Sequence, residues 1–262
     1  MKKVITLIAI AILGLAQTAE AKIVNSRTVG ERTKAPTIWI LRTGLSLNGG
    51  TGSAISNIKD ECKGYNNEYG DEGKVSFGFK PGYELSVAFN RPFGNTNFYW
   101  GMELGLGTRG IKYTSEYSPE DDWIEYGHKS LLAWNFKYSP FTFGYKYNIN
   151  ESIALDAHLG AYVSLDFAGK GKSSWDGIEQ GDAYKEDEES ANIGKDDLEH
   201  YKRFDCGLQV GLGVWYKRFN FDITYQRGFM NAYDFSYQSQ WDIDEDSKIC
   251  TSNIMFRIGM SF

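Results

Sequence analysis

The sequence predicts an all-β protein: an eight-stranded antiparallel up-and-down transmembrane β-barrel. Three observations carry that expectation. Eight segments alternate apolar and polar residues with a period of two, which gives strands two unlike faces. The links between them are alternately long and short, as in barrels with tight hairpins at one rim and extended loops at the other. The last segment, Ile249 to Phe262, sets Ile254, Phe256, Ile258, Met260 and Phe262 on one face and Asn253, Met255, Arg257, Gly259 and Ser261 on the other. If the oily face lies in lipid, neighbouring strands must pair edge to edge until the sheet closes, because hydrocarbon offers the backbone no partner.

Composition fits a strand-built membrane protein. Mean hydropathy is only −0.42, and beyond residue 21 no apolar run approaches the length of a membrane helix. The chain is nevertheless 15% aromatic, with 29 Gly and 5 Pro. In a barrel the signal lies in parity, so mean hydropathy stays low.

In chain order, residues 1–21 read as a signal peptide: basic Met1-Lys2-Lys3, an apolar stretch Val4 to Ala16, and the A-x-A site Ala19-Glu20-Ala21. No Cys lies in or directly after it, which argues against a lipid anchor. Removing Lys2, Lys3 and Glu20 leaves 26 basic and 33 acidic residues, a net charge of −7 and an argument against nucleic acid as partner. Residues 22–36 are polar and without period, a short lead-in, and 37–262 form the barrel. The strands are expected at 37–48, 75–90, 97–114, 131–147, 152–169, 203–216, 219–230 and 249–262. The long loops are then 49–74, 115–130, 170–202 and 231–248, all on one side.

Parity assigns the faces. Phe204, Cys206, Leu208, Val210, Leu212, Val214 and Tyr216 oppose Asp205, Gly207, Gln209, Gly211, Gly213 and Trp215. Ile153, Leu155, Leu159, Val163, Leu165 and Phe167 oppose Asp156, His158, Gly160, Tyr162, Ser164 and Asp166. The glycines fall on the polar face, as a narrow interior requires. The first strand is the weakest case, with Ile38 and Ile40 sharing the inner parity of Arg42. In the fourth, aromatics change phase across Ser139-Pro140, which predicts a β-bulge, since proline cannot donate to a ladder.

The runs Asn135 to Tyr147, Ala157 to Leu165, Gly207 to Val214 and Tyr225-Gln-Arg-Gly228 resemble the porin-family outer-membrane β-barrel domain of Gram-negative bacteria, over about residues 37 to 262. The terminal strand ending in Phe262 is similar to the assembly signal of such barrels. The resemblance implies a bacterial outer-membrane location with both termini periplasmic. It also implies outer-membrane lipid, lipopolysaccharide and the barrel-assembly machinery as partners, and a monomer. It carries over no catalytic residue, and no cofactor is expected.

On the same parity the inner face holds Arg42, Lys80, Arg109, Lys137, Lys146 and Arg257 against Glu84, Glu103, Asp156, Asp166, Asp205 and Asp222, together with His158. Charges taken from bulk water need partners, so a matched set predicts an ion network filling the lumen. The alternative is a narrow passage, or a gate in which ion pairs exchange. Barrels of eight strands enclose little but side chains, which favours the plug. His158 beside Asp156 raises the alternative of an outer-membrane enzyme acting on lipid or peptide, though no Ser stands at a compelling spacing. It is also expected to be the only histidine in a strand. The acidic aromatic loops, with Trp123, Trp175 and Trp241, allow a ligand or adhesion receptor. Asp242, Asp244 and Asp246 space like a calcium loop but lack its glycine and final Glu, so no metal site is expected. Cys206 and Cys250 sit too far apart to bridge, whereas Cys62 is placed to reach Cys250.

Overall fold

The computed structural model describes residues 37–60, 72–120, 123–179, 182–186, 188–193, 200–233 and 247–262. Expectations on 1–36, Cys62, Trp241 and the 242–246 acidic run lie outside those residues. The strands are β1 (Ile38–Thr51), β2 (Glu72–Gly78), β3 (Lys80–Pro92), β4 (Phe98–Glu120), β5 (Trp123–Asn148), β6 (Ile153–Glu179), β7 (Asp182–Lys185), β8 (Glu189–Asn192), β9 (Phe204–Tyr216), β10 (Phe219–Gly228) and β11 (Cys250–Ser261). All pairings are antiparallel, and they run from β1 through β3, β4, β5, β6, β9, β10 and β11 back to β1. The ring has eight staves and closes on itself, and its ladders pair the backbone of the wall except where β3 and β4 part between Glu84↔Gly107 and Gly78↔Lys112. Of the remaining strands, β2 continues the β3 stave beyond a break at Phe79 and pairs with β4, whereas β7 and β8 pair with the far half of β6.

Side-chain placement inverts that of a water-soluble protein. Leu212 is 68% exposed and Ile258 55%, whereas Arg257 and Asp222 are 2% and 4% exposed. Along β9 the burial alternates without a fault, apolar out and polar or glycine in, save for Trp215, which is buried on the inner face. An acyl phase is the medium that reconciles an apolar outside with a charged inside. Aromatic side chains band the near rim, where Trp39, Phe89 and Trp100 form successive ring contacts at 5.6 and 5.5 Å.

Tight turns join the staves at that rim: 93–97, 149–152 and Lys217-Arg218. Gly94 has φ 57°, suited to glycine, but Lys217 takes φ 53° with a side chain attached. The predicted bulge is present: pairing passes from Tyr138↔Val163 to Phe141↔Ala161, with Ser139 and Pro140 opposite the single Tyr162. A second shift, not anticipated, follows Trp134↔Ala168 with Asn135↔Asp166, leaving Phe167 as the extra residue of β6. It carries Ala168, Lys170 and Lys172 onto the outer face opposite Trp134, Leu132 and Ser130.

Two expected loops are corrected. Residues 115–130 lie almost wholly within β4 and β5, which are laddered from Tyr117↔Glu125 downward, and β6 runs through 170–179 before β7 and β8 return along it. These strands clear the lipid and meet water on both faces, so apolar alternation stops although hydrogen bonding continues. At 49–74, β1 continues to Thr51, a short helix spans 53–60, and β2 begins at Glu72.

Candidate functional site: the closed lumen

The inner face of the ring carries its charges in three tiers. In the middle tier Arg257, on β11, reaches Asp222 at 2.8 Å, Glu103 at 2.8 Å and Glu84 at 3.2 Å. Arg42 on β1 holds Glu103 at 2.7 Å and Asp222 at 3.4 Å, and Lys137 on β5 holds Glu84 at 2.6 Å. Three cations thus face three carboxylates drawn from six staves. Forked guanidinium donors suit this task, because one Arg can satisfy several acceptors at once. Each of the six side chains is at most 7% exposed.

Towards the outer mouth, Arg109 pairs with Asp166 at 2.7 Å and lies 3.6 Å from Asp205. Asp205 also accepts from Tyr162 and Thr251, and Asp166 from Tyr201. Arg109 donates to the backbone carbonyl of Lys202 at 2.7 Å and lies under the Tyr201 ring. The segment before β9 is thereby drawn over the mouth, where Tyr201 packs with Ala133 and Ala232. The far end is closed by an apolar floor of Ile40, Ala88, Ala154 and Trp215, which gives the two inner isoleucines of β1 their place.

Just above that floor, Asp156 accepts from both Tyr99 and Trp215 and lies 2.9 Å from His158 Nδ1. His158 Nε2 is 3.2 Å from the Thr224 hydroxyl, which in turn donates to Asp222 and accepts from Arg257. This chain of contacts joins the lower tier to the middle one. Glycine makes the space for it: a Cβ on Gly211 would lie 2.4 Å from the His158 ring, and one on Gly144 2.2 Å from Tyr99.

The structure places twelve of the thirteen candidate residues on the inner face, Lys146 among them with its ammonium 3.6 Å over the Trp215 ring. Lys80 is the exception. It donates to Ser130 Oγ at 3.3 Å, and Ser130 shares the outward parity of Trp134. The β3–β4 ladder stops at Glu84↔Gly107, which leaves the strands splayed and gives Lys80 a way to the outer face. Histidine is not confined to position 158: His128 lies in β5, 2.9 Å from Asp176. Inner parity marked Tyr99, Tyr162 and Trp215, though their role as partners was not read. Nothing in the pattern marked Tyr201 or the lid it forms.

Among the described residues no group of His, Cys, Asp and Glu is arranged to hold a metal ion, and Cys206 and Cys250 are free thiols. The Cys62 pairing lies outside the described residues.

Residues 25–234 match the family model described as the outer membrane protein beta-barrel domain. No curated protein matches the sequence. Among solved structures, the chain is similar to Ail, the attachment invasion locus protein of Yersinia pestis, at 14% identity over 88% of this chain and 100% of that one, with TM-score 0.31. It is similar to Neisserial surface protein A at 10% identity, 86% and 97% coverage and TM-score 0.36. The outer membrane protein OprG from Pseudomonas aeruginosa gives 12%, 89% and 99%, with TM-score 0.34. Since the family model spans most of the chain and the ring is of the matching kind, the protein belongs to the outer-membrane β-barrel domain family and resides in the bacterial outer membrane.

Proposed function

We propose that this barrel conducts little or nothing and acts at the cell surface, through the strands that rise beyond the membrane. The observation carrying this reading is the middle tier, where Arg42, Lys137 and Arg257 cross the axis to Glu84, Glu103 and Asp222 with almost no side-chain exposure. Opening such a plug would leave charges unpaired in a low-dielectric bore, which costs several kcal/mol per ion. The partners on this reading are outer-membrane lipid and lipopolysaccharide around the apolar belt, and the barrel-assembly machinery during insertion. The protein acts as a monomer.

No reaction is assigned. The Asp156–His158–Thr224 line has the order of a catalytic relay, but the Thr224 hydroxyl is engaged by Arg257 and Asp222 and fully buried. A nucleophile without access to substrate has nothing to attack.

Single-channel recording of the purified protein in planar bilayers tests the reading. A flat current at physiological salt is expected; large, steady steps would replace the plug with a passage.

A further inference from the structure

Above the lipid belt on the outside of the β4–β6 wall, lysines gather in a protein whose net charge is −6. Lys112, Ser130 and Lys172 occupy one rung across β4, β5 and β6, so their side chains leave the same face. Neighbouring strands lie roughly 4.8 Å apart, which puts the two lysine stems about 10 Å from one another. Lys80 brings a third ammonium to the Ser130 hydroxyl at 3.3 Å. Two residues nearer the membrane, Lys170 stands beside Leu132. Lys80, Lys170, Lys172, Ser130, Leu132 and Trp134 line a shallow cleft here.

The same face changes character in a fixed order going down. Below the lysines come Trp134 beside Ala168, then Phe136 between Leu106 and Leu165, then Tyr138 between Leu104 and Val163. The Phe136 and Phe167 rings meet at 4.6 Å, tilted by 39°. Cation, aromatic and aliphatic groups therefore follow one another at the depths where a lipid presents its headgroup, its interface and its chains. Among the described residues the anion paired into the cluster is Glu188, 2.5 Å from Lys172, and both side chains are about half exposed. The hydrogen bond from Lys172 holds the Glu188 carboxyl below its usual range. An exposed pair of this kind is readily exchanged for a stronger anion.

We propose that this face is a binding site for a phosphorylated glycolipid of the outer leaflet, the lipid A end of lipopolysaccharide. Its phosphates sit between Lys80, Lys112, Lys170 and Lys172, and an acyl chain lies against Trp134 and Phe136. The site rests on the outer-membrane placement and is independent of whether the lumen conducts. The Phe167 bulge is what makes it, since without the extra residue Lys170 and Lys172 would point inward.

The test uses full-length protein in nanodiscs of zwitterionic lipid, titrated with bis-phosphorylated lipid A. Replacing Lys112, Lys170 and Lys172 together by Gln is expected to weaken binding between about tenfold and a hundredfold. Lys217→Gln, at the opposite rim, is expected to change it less than twofold. Lys170→Gln alone is expected to weaken binding several-fold, which keeps the test decisive should the triple variant not fold. Dephosphorylated lipid A should bind no better to the native protein than to the triple variant. Equal binding of bis-phosphorylated lipid A by native and variant protein would overturn the proposal. So would competition by millimolar inorganic phosphate alone, which means a free-anion site, or equal retention of phosphatidylglycerol, which means a generic anionic surface. Failure of the native protein to insert into any bilayer would remove the membrane placement and the site together, whereas insertion without preference for lipid A would remove the site alone.

Discussion

Arg257 is the residue on which the closed lumen turns, since three carboxylates from three staves meet its guanidinium. Arg257→Met is expected to destabilise the barrel by about 3–5 kcal/mol, because the cost is that of stranding buried carboxylates rather than of losing a favourable pair. Urea unfolding in lipid vesicles would measure it, and adding Asp222→Leu to the same chain should recover part of the loss. Gly44 makes a different demand. A Cβ there would lie 2.2 Å from the Phe256 carbonyl oxygen across the β1–β11 seam, so Gly44→Ala should cost about 1–3 kcal/mol by the same measurement. Lys217→Gly should instead gain up to about 1 kcal/mol, as glycine takes its left-handed conformation without strain. Which candidate charges face inward was legible for all but Lys80, because strand parity has a period of two wherever no bulge resets it. Which of them would meet was not. Arg257 and Glu84 are 173 residues apart in sequence, and their pairing depends on stave register that no local pattern encodes.

At the scale of the strand, bulges decide what a face contains. Deleting Pro140 would remove the two-against-one step opposite Tyr162 and turn Phe141, Phe143 and Tyr145 towards the charged interior. Such a chain is expected not to insert, which resistance to trypsin in vesicles would report. The Ser139-Pro140 bulge was readable because aromatics changed phase around a residue that cannot join a ladder. The bulge at Phe167 was not: beyond it the sequence leaves the lipid, apolar alternation ends, and phase can no longer be followed. The same loss of contrast made 115–130 read as a loop when it is the upper part of a hairpin. Where water lies on both sides, β-structure rests on its ladder and on rings such as Phe77 and Tyr113, 5.5 Å apart, rather than on a two-sided pattern.

For the molecule as a whole, the arrangement of oily outside and ionic inside is open to direct measurement. Spin labels at Leu155 and Ile258 should be relaxed by oxygen, which partitions into lipid, and labels at Thr224 and Ser139 should be shielded from both oxygen and aqueous nickel chelates. Exchanging Arg42, Glu103, Asp222 and Arg257 together for Ser should clear the axis while keeping the Lys137–Glu84 pair intact, and small, noisy currents are then expected in planar bilayers where the native protein gives none. The staves also differ in length. β10 has 10 residues and β11 has 12, close to what a membrane strand requires, whereas β5 has 26 and β6 has 27. Some fifteen surplus residues at about 3.3 Å each, inclined by roughly 40°, lift the head of β5 on the order of 35 Å above the bilayer. The barrel is thus a socket with a mast stepped at one edge. A surface approaching the cell touches that mast first and off the axis, so a pull on it tilts the whole cylinder in its lipid before it strains any single stave.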